Sequence, residues 1–299
     1  MRIAVTGSSG LIGSALVRSL LDDGHEVVRL VRRAPEPRRD GSVEVRWNPP
    51  LRAVDRKGLE GVDAAVNLAG AGVGDHRWTA AYKQQIRDSR LLGTATLAEA
   101  LASLPTPPRV LVSASAVGWY GQTGDAVIDE SAPPGDDFLA RVCVDWESAT
   151  EPAEQAGIRV AHARTGLVVA SGGGAWGKLF PLFRVGLGGR LGNGRQYWCY
   201  ISLRDEIAAL RHLIDSDGLS GPFNLTAPVP VTQAEITEAM SRVLRRPAFA
   251  HVPEFALKAV LGEMAVEVVG SHRVVPKRLL DSGFRFAHAT IDDAIRAAL

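Results

Sequence analysis

RIAVTGSSGLIG, residues 2–13, decides the fold. Residues 2–6 are a short β-prone run, and Gly7-Ser8-Ser9-Gly10-Leu11-Ile12-Gly13 follows at once. A helical pattern comes next, with Leu11, Ile12, Ala15, Leu16 and Leu20 on one side, closed by Gly24 as a C-cap. EVVRLV at 26–31 is the second strand. Strand, glycine turn, helix and strand within about thirty residues is the setting a dinucleotide fingerprint needs. Gly7 permits the tight turn, and Gly10 lets a diphosphate approach the backbone beside Ser9. Gly13 lets helix and strand pack closely, while the first-turn N–H groups of Leu11, Ile12 and Gly13 face the anion.

The end of the second strand bears on which dinucleotide binds. An NAD site usually places an acid there to hold the ribose diol. This strand runs into Arg32 and Arg33, which suit a 2′-phosphate. Asp40 and Glu44 come too late in the chain to be obvious substitutes. The pattern favours NADP(H) over NAD(H), against the alternative of two solvent-facing arginines at a strand exit.

Further strands are expected at 43–47 and 62–68, the latter ending in Asn67-Leu68-Ala69-Gly70-Ala71-Gly72. The small residues at that strand end leave room for a flat ring or a ribose beside Leu68, Ala69 and Gly70. A long helix is predicted over 78–102, and Pro105, Pro107 and Pro108 break the chain after it. RVLVS at 109–113 has the continuous apolar character of a strand buried on both faces. The fold class is therefore α/β, a Rossmann-like doubly wound parallel sheet.

The chain has 299 residues, 46% of them hydrophobic and 22% charged, with a formal net charge of +1. That balance gives no electrostatic reason to expect a nucleic acid or a membrane surface as partner. Cys143 and Cys199 are far apart and form no CxxC pair, which argues against a disulfide framework or a zinc site. The early apolar run is broken by Gly7, Gly10 and Gly13 and ends at Asp22-Asp23, unlike an export signal. A cytoplasmic protein acting on a small molecule is expected, with no metal. Homo-oligomerisation is left open.

TGSSGLIG at 6–13, NLAG at 67–70 and SASAVGWYG at 113–121 resemble the extended short-chain dehydrogenase/reductase superfamily, which includes nucleotide-sugar epimerases and dehydratases. VCVDWE at 142–147, LGGRLGNGRQYWCYI at 187–201 and VVPKRLLDSGFRF at 274–286 resemble its divergent "epimerase family" branch, which has a small C-terminal domain of its own. The resemblance implies an oxygen-polarising serine, for which Ser115 fits better than Ser113. It also implies a proton-exchanging tyrosine with a lysine four residues on, near 143–147. Cys143 and Glu147 stand there instead, and the chain contains no Tyr-x-x-x-Lys. A thiol with a pKa of about 8.5 is a different acid from a phenol, and a carboxylate cannot supply the cation. Cys143 is either an acid–base group or a buried packing residue. Glu147 is a base, an arginine's partner or a solvated helix residue. Tyr120 is the phenol nearest Ser115 and a further candidate acid.

Arg164, Thr165 and Gly166 fall where the resembled family closes over the nicotinamide. Residues 170–204 alternate glycines with Trp176, Phe180, Phe183, Tyr197, Trp198 and Tyr200. They read either as a loop that closes over a ligand or as a glycine-rich excursion anchored by core aromatics, with Arg190 and Arg195 available to an anionic group. Thr232 and Glu235 make a capping box for a helix over 233–244, and another helix is predicted over 254–269. The expected division is a dinucleotide domain at 1–220 and a mainly helical substrate-side lobe at 221–299. Two functions follow: an NADP(H)-dependent oxidoreductase or epimerase-like enzyme, or an NADP(H)-binding sensor or scaffold with little turnover.

Overall fold

A computed structural model describes all 299 residues. Seven strands of its main sheet are Arg2–Thr6 (β1), Glu26–Val31 (β2), Val43–Asn48 (β3), Ala53–Val54 (β4), Ala64–Asn67 (β5), Val110–Ala116 (β6) and Arg159–Thr165 (β7). The eighth, Gly221–Leu225, pairs in parallel with β7 and forms that edge. Across the sheet the order is Gly221–Leu225, β7, β6, β5, β1, β2, β3, β4. All neighbours are parallel except β4, which turns back against β3. The order reverses beside β1, and ligands of doubly wound sheets bind at such a switch point.

Leu11–Asp22 (α1), Ala80–Ala102 (α2) and Phe138–Ser148 (α3) flank this sheet. Thr79 caps α2 by accepting from the Tyr82 N–H, and Asp137 caps α3 by accepting from the Ala140 N–H. One face of the sheet buries Ile3, Val5, Val66 and Val112 against α1 and the helix Leu203–Asp215. The other buries Ala4, Val28, Ala65 and Leu111 against α2. Alternate residues of one strand thus feed opposite cores, which is why these strands read as unbroken apolar runs.

Three expectations are corrected. The strand at 221–225 belongs to the main sheet, so the first domain runs past residue 220. The segment 170–204 is not a closing loop: it holds a helix, Gly174–Arg184, and short strands at 189–191, 197–198 and 200–202. Trp176, Phe180 and Tyr200 are buried in a core shared with Ile236, Met240 and Ile295, so this segment and the C-terminal helices build one lobe. The helix expected over 254–269 breaks at Gly262, whose φ of +62° an α-helix cannot contain, into Glu254–Leu261 and Ala265–Val269.

The Thr232–Glu235 capping box is present and opens Gln233–Leu244. No helix is long and apolar enough to cross a membrane.

Candidate nucleotide site and the buried network beside it

The C-terminal ends of β1, β2 and β5 open into a cavity of about 1230 Å³. Gly7, Ser9, Gly10, Arg32, Arg33, Leu68, Ala69 and Gly70 line it. Gly7 has a φ of +63°, and a Cβ there would come within 2.6 Å of the Leu68 carbonyl oxygen. At Gly13 a Cβ would overlap the Gly7 carbonyl oxygen. Leu11, Ile12 and Gly13 are not among the residues that line the cavity. The first bond of α1 runs from the Ser14 N–H to the Gly10 carbonyl at 2.9 Å, which leaves the three preceding N–H groups for an anion.

Thr6 and Asn67 fasten the opposite wall. The Thr6 hydroxyl donates to Asn67 Oδ1 at 2.7 Å and accepts from the Leu68 and Ala69 N–H groups at 3.0 and 3.1 Å. Asn67 Nδ2 donates to the Thr94 hydroxyl at 2.7 Å. Thr6 ends one predicted strand and Asn67 lies one residue before the end of another, but only the pairing of β1 with β5 shows that they meet.

At the β2 end the two arginines differ. Arg33 grips Glu44 through both terminal nitrogens at 2.7 Å, and Glu44 also accepts the Glu36 N–H at 2.9 Å. Glu44 is late in sequence yet adjacent in space, because β3 pairs with β2 and sets it opposite Arg29. Both its oxygens are engaged, and hydrogen bonding to Arg33 holds its carboxyl below the ordinary range. Arg32 is exposed, lines the cavity and makes no ion pair. A glycine cradle with free N–H groups beside an unpaired cation fits a dinucleotide.

The four residues considered for catalysis lie outside this lining and are buried. Ser115, opposite Arg164 in the β6–β7 register, donates to Glu147 Oε1 at 2.6 Å. Arg164 donates to the two Glu147 oxygens at 2.8 and 2.9 Å, and to the Tyr120 hydroxyl at 3.0 Å. Tyr120 donates to Asn224 Oδ1 at 2.7 Å. The Arg164 guanidinium also lies 3.8 Å from the centre of the Trp119 ring. Glu147 is thus an arginine's partner, one of the alternatives open from sequence. The Ser115 proton is directed at a carboxylate, and burial pushes the Tyr120 phenol up to about 12.

Cys143 is buried under the turn at 117–120, and burial pushes its thiol up to about 12. A Cβ at Gly118 would meet Leu139 Cβ at 3.5 Å and Cys143 Sγ at 3.9 Å. The face of α3 turned to the end of β6 therefore reads Leu139, Cys143, Glu147, four residues apart. Its outermost member is apolar. Arg190 and Arg195 are exposed and outside the cavity lining. No cluster of three or more His, Cys, Asp or Glu residues could hold a metal ion.

Comparison with known proteins bears on the fold and the family. The NAD dependent epimerase/dehydratase family model matches residues 3–225, and a domain of unknown function matches 252–298. An epimerase family protein of Mycobacterium bovis is 48% identical over 294 residues, 98% of this chain and 96% of its own length. The bovine epimerase family protein SDR39U1 is 37% identical, with 100% of both chains covered. The crystal structure of human SDR39U1 with NADPH superposes with a TM-score of 0.91 at 33% identity, covering 100% of this chain and 99% of that one. A UDP-glucose 4-epimerase of Thermus thermophilus in complex with NAD shares the fold, with a TM-score of 0.75 at 21% identity over 99% of this chain and 97% of its own. With its glycine turn, its eight-stranded sheet and a family match across three quarters of its length, the chain belongs to the NAD-dependent epimerase/dehydratase family.

Proposed function

We propose that this chain is an NADP(H)-dependent oxidoreductase that acts on a small molecule in the cleft between its nucleotide domain and its C-terminal lobe. The observation that carries the cofactor choice is the division of labour at the end of β2. Arg33 occupies both oxygens of Glu44, which removes the acid that would repel a phosphate, while Arg32 stays free at the cavity wall. The NADPH in the human relative's structure supports the same choice. When bound, the dinucleotide supplies or accepts the hydride; the protein supplies the cradle, the charge at the adenosine end and the closed wall behind Leu68–Gly70.

The test is a fluorescence titration of NADPH and NADH on the wild type and Arg32→Ala. One charge-assisted contact to phosphate is worth about 1.5–3 kcal/mol, or roughly 10- to 100-fold in affinity. NADPH should be favoured by that factor, and the preference should vanish in Arg32→Ala. Equal wild-type affinities would overturn the choice.

A second reading, an NADP(H)-binding sensor without turnover, is favoured by the burial of Ser115, Tyr120, Cys143 and Glu147. Oxidation of bound NADPH by members of a carbonyl-compound panel, absent in Arg32→Ala, supports the enzyme. Tight binding with no oxidation across the panel supports the sensor.

A further inference from the structure

Two segments of the C-terminal lobe carry arginines and apolar side chains but no acid. Residues 179–204 and 239–253 contain neither Asp nor Glu. The chain leaving the helix Gly174–Arg184 and the chain leaving the helix Gln233–Leu244 run side by side. Arg246 Nε donates to the Arg184 carbonyl oxygen at 3.2 Å, and the Ala250 N–H donates to the Gly188 carbonyl oxygen at 3.3 Å. A Cβ at Gly186 would come within 3.5 Å of the Pro247 ring, and the strands at 189–191 and 250–252 then pair in parallel. The two segments therefore make one continuous surface.

Four large apolar side chains stand on it uncovered: Leu182 is 48% exposed, Val185 69%, Leu187 67% and Phe249 91%. Phe180 and Phe183 of the same helix already face the core, so this helix ends with apolar side chains both inside and outside. Isolated exposed apolar residues are ordinary, whereas a contiguous group marks a surface that something else covers. Arg184, Arg190, Arg245 and Arg246 are exposed among them. Arg242 and Lys258, at the two ends of the second segment, occupy Asp292 and Glu254, which leaves these arginines without a carboxylate. Arg245 closes its helix at a φ of +53°, a conformation that glycine adopts freely and arginine does not. A charge is thus held where the helix end itself would be better served by glycine. The net charge of +1 for the whole chain conceals this local excess.

Charge and apolarity together narrow the occupant. Contiguous apolar side chains among unpaired arginines complement an anionic lipid surface, where phosphates meet the cations and the acyl boundary receives the apolar groups. A second copy docked on the same patch about a twofold axis would set these arginines against their own images with no acid between them. We propose that this patch seats the protein on an anionic lipid bilayer. Val185, Leu187 and Phe249 enter the boundary between headgroups and acyl chains, while Arg184, Arg190, Arg245 and Arg246 bind lipid phosphates. None of these residues lines the nucleotide cavity, so lipid and dinucleotide do not compete for side chains.

The probe is a vesicle of equimolar phosphatidylglycerol and phosphatidylcholine, with pure phosphatidylcholine as the neutral control, read by co-sedimentation of the full chain. The protein should sediment with the anionic vesicles alone, and less so as salt is raised. Phe249→Ser should weaken this binding by about tenfold. Arg184→Gln combined with Arg246→Gln should weaken it by roughly 25-fold, at about fivefold per arginine near the surface. Arg245→Gly removes a charge and relieves the backbone, so it should lose about fivefold in binding with no fall in melting temperature. That variant separates docking from folding, and NADPH affinity should be unchanged in all of them. Wild-type protein left in the supernatant with anionic vesicles would overturn the proposal, as would equal sedimentation with neutral ones. A folded Phe249→Ser that binds like the wild type would also overturn it. So would a wild-type dimer in sedimentation velocity that Phe249→Ser converts to monomer, which assigns the patch to a second copy.

Discussion

Replacing Glu147 should damage the fold while leaving the nucleotide site intact. Its carboxylate accepts from Arg164 Nε and Nη2 at 2.8 and 2.9 Å and from Ser115 at 2.6 Å. The two charged side chains are only 3% and 8% exposed, so neither is well solvated if its partner is lost. Breaking a buried ion pair from one side costs about 3–5 kcal/mol, because the remaining charge stays uncompensated. Glu147→Gln keeps the shape and one acceptor, which puts it near the low end. At about 2 °C per kcal/mol for a chain of this size, the melting temperature should fall by about 6–10 °C. Replacing both partners with apolar residues of similar volume, Glu147→Leu with Arg164→Met, should recover most of that loss. The assay is thermal unfolding of the ligand-free protein by circular dichroism, with an NADPH titration of each variant that folds. NADPH affinity should stay within about twofold of the wild type, since the pair lies outside the cavity lining. A melting temperature unchanged in Glu147→Gln, or a double variant as unstable as the sum of the singles, would refute the reasoning.

Other perturbations test other parts of the molecule. Gly13→Ala places a methyl group on the Gly7 carbonyl oxygen, and relieving such overpacking costs about 1–3 kcal/mol. The turn must shift, so NADPH affinity by titration should fall at least tenfold; wild-type affinity would contradict the packing role. Asp205 accepts the N–H groups of Ala287 and His288 at 2.8 and 2.9 Å. Asp205→Ala should cost about 2–4 kcal/mol and open the chain near 287 to limited proteolysis, whereas an unchanged digestion pattern would argue against that tie. Burial raises the Glu206 carboxyl from 4.5 to about 8, with the Thr165 hydroxyl as its hydrogen-bond partner. The folded state keeps a proton that the unfolded chain releases, so this stabilisation is complete below about pH 4.5 and is lost as pH rises through about 8. Relative to Glu206→Gln, the wild type should lose about 1.4 kcal/mol per pH unit across that window; parallel stability curves for the two proteins would rule this out.

What could be read from sequence was what is local. The glycine turn and the Thr232–Glu235 box are short-range devices whose residues bond or pack within a few positions of each other. Residues 170–204 defeated the same approach because glycine has two uses. Gly188 lies against the Phe183 ring and Gly189 against the Ala250 backbone, so both serve close packing rather than flexibility. Trp176, Phe180 and Phe183 do recur at helical spacing, a signal that the surrounding glycines masked. Gly166 ends β7 because a Cβ there would come within 2.9 Å of the Cys199 carbonyl oxygen, a contact with a residue 33 positions later. At the site, Arg32 could be singled out from its place at a strand end. The engagement of Glu44 by Arg33 could not, since it depends on which strand lies beside β2.

The same limit applies to chemistry. Ser115 and Glu147 occupy positions that the superfamily resemblance associates with catalysis, yet here they serve a buried network that reaches the C-terminal lobe. From Ser115 it passes through Glu147, Arg164 and Tyr120 to Asn224. Asn224 then donates to the Val275 carbonyl oxygen at 3.0 Å, and its N–H is held by Glu130, whose other oxygen accepts the Arg278 N–H at 3.1 Å. Polar groups this enclosed need partners, and the bonds they make here fix one arrangement of the elements that carry them. The network's geometry makes a brace between β6, α3, β7 and the segment at 274–278. A proton relay would need a member that faces the cavity and titrates near neutrality, whereas Tyr120 is buried and held far above that range. Activity lost on mutating these residues should therefore track lost stability, whereas activity lost at Arg32 should track lost cofactor.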